Sequence, residues 1–298
     1  MSLWLHRSSH SGWLPVDASR RPVLFVNPTS GGGKAARARL ADLARERGIE
    51  PVTLTRGSDL EGLVGRALSG GADAIGVAGG DGSLARVAAA ASARGIPFVV
   101  VPAGTRNHFA RDVGIPPNDP VGALDAFGTA LERTIDLGDV NGRPFLNNVS
   151  LGIYGDAVRR ATYRDAKVRT LLEAAEEVLG PGAAVSGMEL ADDRGRKHTQ
   201  PAVVLVSNNP YAFERPPVRG ARPALDSGQL GVMTIEPAAG PANVARAWST
   251  RSLCVEAGED VHAGVDGEAV VLAPPLAFTI RPARLRVRVA PRHGQRFV

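Results

Sequence analysis

Three glycine-rich stretches, each following an apolar run, carry residue types suited to holding a phosphate. They are Asn27-Pro28-Thr29-Ser30-Gly31-Gly32-Gly33-Lys34, Gly79-Gly80-Asp81-Gly82-Ser83 and Pro102-Ala103-Gly104-Thr105-Arg106-Asn107. A strand that runs through glycines into a helix offers free backbone N–H groups and a positive helix end to an anion. One such loop is an ordinary tight turn, since glycine is the default turn residue. Three in successive units point to phosphate binding. Asp81, among the second set of glycines, fits a nucleotide or Mg²⁺ role, with a helix N-cap as the plain alternative. Lys34 fits either a phosphate partner or a solvated first-turn lysine. Thr105 and Asn107 fit either ligand contacts or turn chemistry.

The elements that must position these loops follow from the pattern. Val23–Val26, Ile75–Ala78 and Phe98–Val101 read as buried strands, and Val52–Thr55 as a shorter one. A helix starting near Lys34 carries Ala36, Leu40, Leu43 and Ala44 on one face. Ser58 with Glu61 three residues on reads as a capping box for a second helix, and Leu84–Arg94 as an alanine-rich third. Alternating units of this length predict an α/β domain over residues 22–138, a parallel sheet with helices on both faces. Its ligand would lie beyond the carboxyl ends of the strands.

Past about residue 139 the pattern changes. An amphipathic helix is expected over Arg164–Leu179, stopped by Gly180-Pro181. Short strands are expected at Val185–Ala191, Ala202–Ser207, Leu230–Ile235, Val261–Val265 and Phe278–Ile280. This predicts a β-rich, antiparallel, sandwich-like domain over 139–290, its last strand free to return to the first domain.

The 298 residues suit two domains, and no apolar run approaches the roughly 20 residues that span a bilayer. The first 21 residues lack a signal-peptide apolar region. With the single Cys254, that favours a reducing cytoplasm and excludes an internal disulfide. No His/Cys spacing suggests zinc. After Glu268 there is no acidic residue, while Arg281, Arg284, Arg286, Arg288, Arg292 and Arg296 follow. That basic face is expected to be solvated, or to meet anionic lipid headgroups. Nucleic acid is not expected, because no aromatic residues are interleaved to stack on bases.

The first loop lacks Walker A spacing, and no GxGxxG follows the first strand. The chain instead resembles the diacylglycerol kinase catalytic domain family, which includes bacterial lipid kinases and sphingosine kinases. The motifs that carry the resemblance are Asn27 to Gly31, Gly79 to Ser83, Pro102 to Ala110 and Asp266-Gly267-Glu268. Phe145-Leu146-Asn147-Asn148 with Gly152, Asn208-Asn209 before Tyr211, and Ala224 to Leu230 extend it. Ser83 replaces the usual Thr and keeps a hydroxyl. His108 stands where many members have Asp and cannot supply that carboxylate. Asp226-Ser227-Gly228 stands where paired acids often precede the glycine.

The resemblance implies an enzyme that moves the γ-phosphoryl of ATP, with Mg²⁺, to a lipid hydroxyl at a membrane surface. It implies nucleotide contacts from Asn27, Pro28, Thr29, Ser30, Gly31, Lys34, Thr55, Gly79, Gly80, Asp81, Gly82, Ser83, Gly104, Thr105 and Asn107. It implies Glu268 as base, with Asp266 and Asp81 beside it, and metal roles at Asp81 and Asp226. The enzyme would be cytoplasmic and peripheral to the membrane, with a homodimer left open. A kinase for a soluble acceptor such as NAD shares the Gly-Gly-Asp-Gly loop but not the later motifs. A nucleotide or lipid sensor without turnover is the third reading.

Overall fold

The computed structural model describes residues 12–152, 187–199, 201–212, 222–236 and 244–294. The expected helix at 164–179 lies outside them. The first half holds strands β1 (Leu14–Val16), β2 (Pro22–Val26), β3 (Glu50–Thr53), β4 (Ala74–Gly79), β5 (Phe98–Pro102), β6 (Ala130–Val140) and β7 (Arg143–Phe145). Its helices include α1 (Ser30–Arg37), α2 (Leu40–Glu46), α3 (Leu60–Ser69), α4 (Asp81–Arg94) and α5 (His108–Asp112). The strands β8 (Asn148–Gly152), β9 (Glu189–Asp192), β10 (Lys197–Thr199), β11 (Val203–Asn208) and β12 (Leu230–Glu236) follow. The last are β13 (Val244–Thr250), β14 (Ser252–Glu256), β15 (Val261–Val265), β16 (Glu268–Leu272) and β17 (Leu276–Val289).

β3, β2, β4 and β5 pair in parallel in that order, as the alternating strand and helix patterns require. β2, β4 and β5 are buried along their whole length, which is why they read as continuous apolar runs rather than alternating ones. All three glycine loops therefore leave the same edge of one sheet. The second sheet is antiparallel throughout, in the order β13-β12-β11-β8-β15-β16.

Two apolar cores result. One surrounds the parallel strands, with Phe25, Phe98 and Phe109 fully buried. The other lies between the antiparallel sheet and a face built by β6, β7, β9, β14 and β17, with Phe145 packed edge-on to Phe278. The two are tied by two paired strands, β6 and β17, which reach into both. β17, expected as Phe278–Ile280, runs for 14 residues. Its first part pairs antiparallel with β14, and Val287–Arg288 pairs in parallel with β5. A register shift between Arg281 and Leu285 bends it. There Ala283 is held at φ 50°, its N–H donated to the buried Asp136 at 2.9 Å.

Several local expectations are corrected. Asp59, not Ser58, caps α3, accepting from Gly62 N–H at 2.9 Å. Ser58 Oγ instead accepts from Thr55 N–H at 2.8 Å. The helix expected to run from Lys34 past Leu40 breaks at Arg39, which has φ 51°. Asp81 is not a cap either: Gly80 is the N-cap and Asp81 opens the helix.

The basic strand is partly neutralised, while Arg284 stays exposed. Arg286 and Arg288 converge on Glu132 at 2.7 and 2.8 Å, and Arg288 is buried. Arg281 pairs with Asp139 at 2.7 Å, and Arg292 with Asp125 at 2.9 Å. The acidic partners lie far away in sequence, so the arginine alternation alone could not reveal them.

Candidate functional site

The three glycine loops touch one another. A side-chain carbon added to Gly31 would stand 2.5 Å from the Ala103 carbonyl, and one added to Gly104 would stand 2.8 Å from the Gly80 Cα. Glycine is required at these two positions by the approach of one loop to the next. Gly80 is different. Its backbone is extended at φ −87°, ψ 172°, and a side chain there would meet nothing within 4 Å. The fold itself does not demand glycine at 80, and the open space above it is where a phosphate would sit.

The other residues singled out by sequence take two kinds of position. Asn27 Oδ1 accepts from the Thr29 N–H and hydroxyl at 3.1 and 2.9 Å, closing the first loop beside Pro28 and Ser30. Asn107, at φ 52°, accepts from Gly104 N–H at 2.9 Å and donates to Gly104 C=O at 2.8 Å. Both amides shape their loops and have those contacts engaged. Thr55 lies beyond β3 on an exposed turn, its hydroxyl 3.0 Å from Ser58 Oγ. Thr105 is exposed at the tip of the third loop, and Ser83 is half-buried in the first turn of α4. Lys34 reaches the Pro117 carbonyl, and burial followed by the nearby Arg37 lowers its pKa.

The acidic residues gather at the start of α4. The turn between β15 and β16 has two central residues, Asp266 at φ 47° and Gly267 at φ 85°, both left-handed as a tight hairpin turn requires. Glu268 leaves that turn and presses its carboxylate against Gly82. Arg143 is its cationic neighbour at 3.4 Å. A cavity of about 350 Å³ opens alongside, lined in part by Gly82, Ala85, Arg86, Arg143, Asp266 and Glu268.

Asp266 turns the other way, into the protein. Its carboxylate accepts from the N–H groups of Leu146, Asn147 and Asn148 at 2.8, 2.7 and 3.2 Å. Asp81 has one carboxyl oxygen buried without a partner, while the side chain of Asn147 favours its charged form. Burial, and then the charge of Asp266, push Asp81 up to about 6. Burial also pushes Asp266 to about 6, against its three N–H donors. Two carboxyls that resist ionisation together, beside an orphaned oxygen, form a place that attracts a cation.

Asp226 does not join them. Arg133 donates to its carboxylate at 2.7 Å, so a cation already serves it and a metal role there is not carried forward. Among the described residues, no three His, Cys, Asp or Glu side chains are grouped to hold a metal by themselves. His108 is half-buried, and burial lowers its pKa against the pull of Asp112, which leaves a neutral imidazole. Sequence reasoning missed Arg222, Asp112 and Asn147 as members of this site. Asn147 lay in a segment already noted, whereas nothing in the surroundings of Arg222 marks it.

Residues 21–140 match the model of the diacylglycerol kinase catalytic domain. A diacylglycerol kinase of Mycobacterium tuberculosis (strain H37Rv) is 36% identical over 120 residues, 39% of each chain. A Pseudomonas aeruginosa (strain PAO1) protein named "Probable lipid kinase YegS-like" is 39% identical over 149 residues, 49% of this chain and 48% of that one. The chain thus spans less than half the length of these curated relatives. The fold extends further: a crystal structure of a diacylglycerol kinase from Bacillus anthracis (strain Sterne) superposes with TM-score 0.63 at 17% identity. That likeness covers 92% of this chain and 98% of the other. Among the described residues no helix is long and apolar enough to cross a membrane.

Proposed function

We propose that the chain is a lipid kinase, which uses ATP with Mg²⁺ to phosphorylate the hydroxyl of diacylglycerol or a related lipid at a membrane surface. The observation that carries this reading is the convergence at the start of α4. Three glycine loops, in the segment matched to the diacylglycerol kinase catalytic domain, meet the carboxylates of Asp81, Asp266 and Glu268 there.

The residues act as follows. The N–H groups of the loops hold the phosphates of ATP, which reach the open space above Gly80. Glu268 takes the proton of the acceptor hydroxyl as its oxygen attacks the γ-phosphorus. The bond to the bridging oxygen breaks, and ADP leaves with that oxygen. Asp266, held by three backbone donors, fixes the turn that aims Glu268. The orphaned oxygen of Asp81 fits a Mg²⁺ ligand. Bound Mg²⁺ supplies neutralisation of charge on the phosphoryl oxygens. The cavity along α4, beyond Glu268, is the approach for the acceptor.

Radiolabelled ATP offered with a panel of lipids tests the reading, with NAD as the soluble control. Labelled lipid is the expected product. Labelled NAD in place of lipid would favour the soluble acceptor, and no transfer to any acceptor would favour a sensor.

A further inference from the structure

Arg222 is withdrawn from solvent, with 0% of its side chain exposed. A guanidinium has five N–H donors, and burial makes each unsatisfied one costly. All five are used. Nε and one Nη2 hydrogen go to Asp112 at 2.9 and 2.6 Å, and the other Nη2 hydrogen goes to Asn147 Oδ1 at 3.1 Å. Nη1 donates to the carbonyls of Leu146 and Asn208 at 2.5 and 2.7 Å. Asp112 balances the charge at the end of α5, directly after the third glycine loop.

Two of these acceptors are the far ends of amides that hold the acidic pair. The Leu146 carbonyl belongs to the same peptide as the Asn147 N–H, which donates to Asp266 at 2.7 Å. The Asn147 side chain takes Arg222 on its oxygen and favours the charged form of Asp81. A cation on the oxygen of an amide polarises it and strengthens what its N–H can donate. We propose that Arg222 is a positioning residue that aims both Asp81 and Asp266, acting through the Asn147 side chain and the Leu146–Asn147 peptide. The proposal rests on the kinase reading for its consequence in turnover, but not for the contacts themselves. A bare ion pair with Asp112 would need only one face of the fork; two of the remaining three donors reach Leu146 and Asn147, which carry the relay.

The test is a double-mutant cycle on the whole chain, with Arg222→Lys, Asn147→Ala and the pair, each also followed by thermal unfolding. Arg222→Lys keeps the charge beside Asp112 but cannot span all four acceptors. Turnover should fall about ten- to hundredfold, as for a slightly misplaced catalytic group, with the KM for ATP little changed. In the Asn147→Ala background the same substitution should cost less, because the side-chain branch of the path is already cut while the peptide branch remains. Losses that multiply independently would overturn the proposal, as would wild-type turnover in folded Asn147→Ala. Amide NMR gives a readout independent of activity. The Asn147 N–H proton should move upfield in Arg222→Lys while other core amides hold still, and an unmoved resonance would contradict the relay. If the wild type phosphorylates no lipid, the kinase reading fails, and the NMR arm still decides the role of Arg222.

Discussion

The Glu268 carboxylate lies against Gly82 so closely that a side-chain carbon at residue 82 would overlap it. The proposed base is thus placed by an absence on the neighbouring helix. The negative charge also sits at the start of α4, where the helix end is positive. Gly82→Ala is well suited to a helix interior, where alanine is favoured by about 1 kcal/mol. It should nonetheless lower turnover strongly by displacing Glu268, with ATP affinity retained. Steady-state kinetics beside calorimetric ATP binding checks this, and unchanged turnover would show that the contact has no role.

Gly80→Val should fold and lose ATP. The backbone at residue 80 is open to any residue, and no protein atom lies within 4 Å of the added carbon. A branched side chain would occupy the space assigned to phosphate. Circular dichroism should match the wild type while the calorimetric ATP signal falls sharply. Retained affinity in the folded variant would remove the second loop from the nucleotide site.

The raised carboxyls give a stability signature. Asp81 and Asp266 bind protons more tightly in the folded chain, near 6, than in the unfolded chain, where an aspartate titrates near 3.8. Their contribution to stability is therefore full below the unfolded value and is lost as pH rises through the folded one. Asp81→Asn removes one of the two charges. The variant should gain stability over the wild type between about pH 4 and pH 7, with the gain growing as pH rises. Thermal melts across that range measure the difference, and a difference independent of pH would contradict the coupling.

Glu132 makes its own prediction. Arg286→Gln with Arg288→Gln leaves a largely buried glutamate without a partner, a loss on the order of 3–5 kcal/mol for a buried pair. The melting temperature should drop, while sedimentation with anionic vesicles changes little. Loss of vesicle binding at unchanged stability would restore these arginines to a lipid-facing role.

Much of the parallel half was legible because its signals are local. β2, β4 and β5 are apolar runs ended by glycine, and the loops that follow must share one sheet edge. The Asp-Gly turn was legible in the same way, as two left-handed positions. What sequence could not supply were pairings across long separations: Arg286 and Arg288 with Glu132, and Arg222 with Asp112 and Asn147. The cap alternative for Asp81 could not be settled from sequence because Gly80 and Asp81 compete for one position, and the extended backbone of Gly80 decides against it. Asn107 was read two ways, and its two bonds to Gly104 favour the turn.

In the proposed reaction Glu268 removes the proton of a lipid hydroxyl. Glu268→Gln keeps the shape of the side chain and its fit against Gly82 but removes its basicity. A positioned general base contributes on the order of 10²–10⁴ in rate. Turnover on a lipid that the wild type phosphorylates should therefore fall by about that factor, with calorimetric ATP affinity unchanged. Near-wild-type turnover in the folded Glu268→Gln chain would contradict the account.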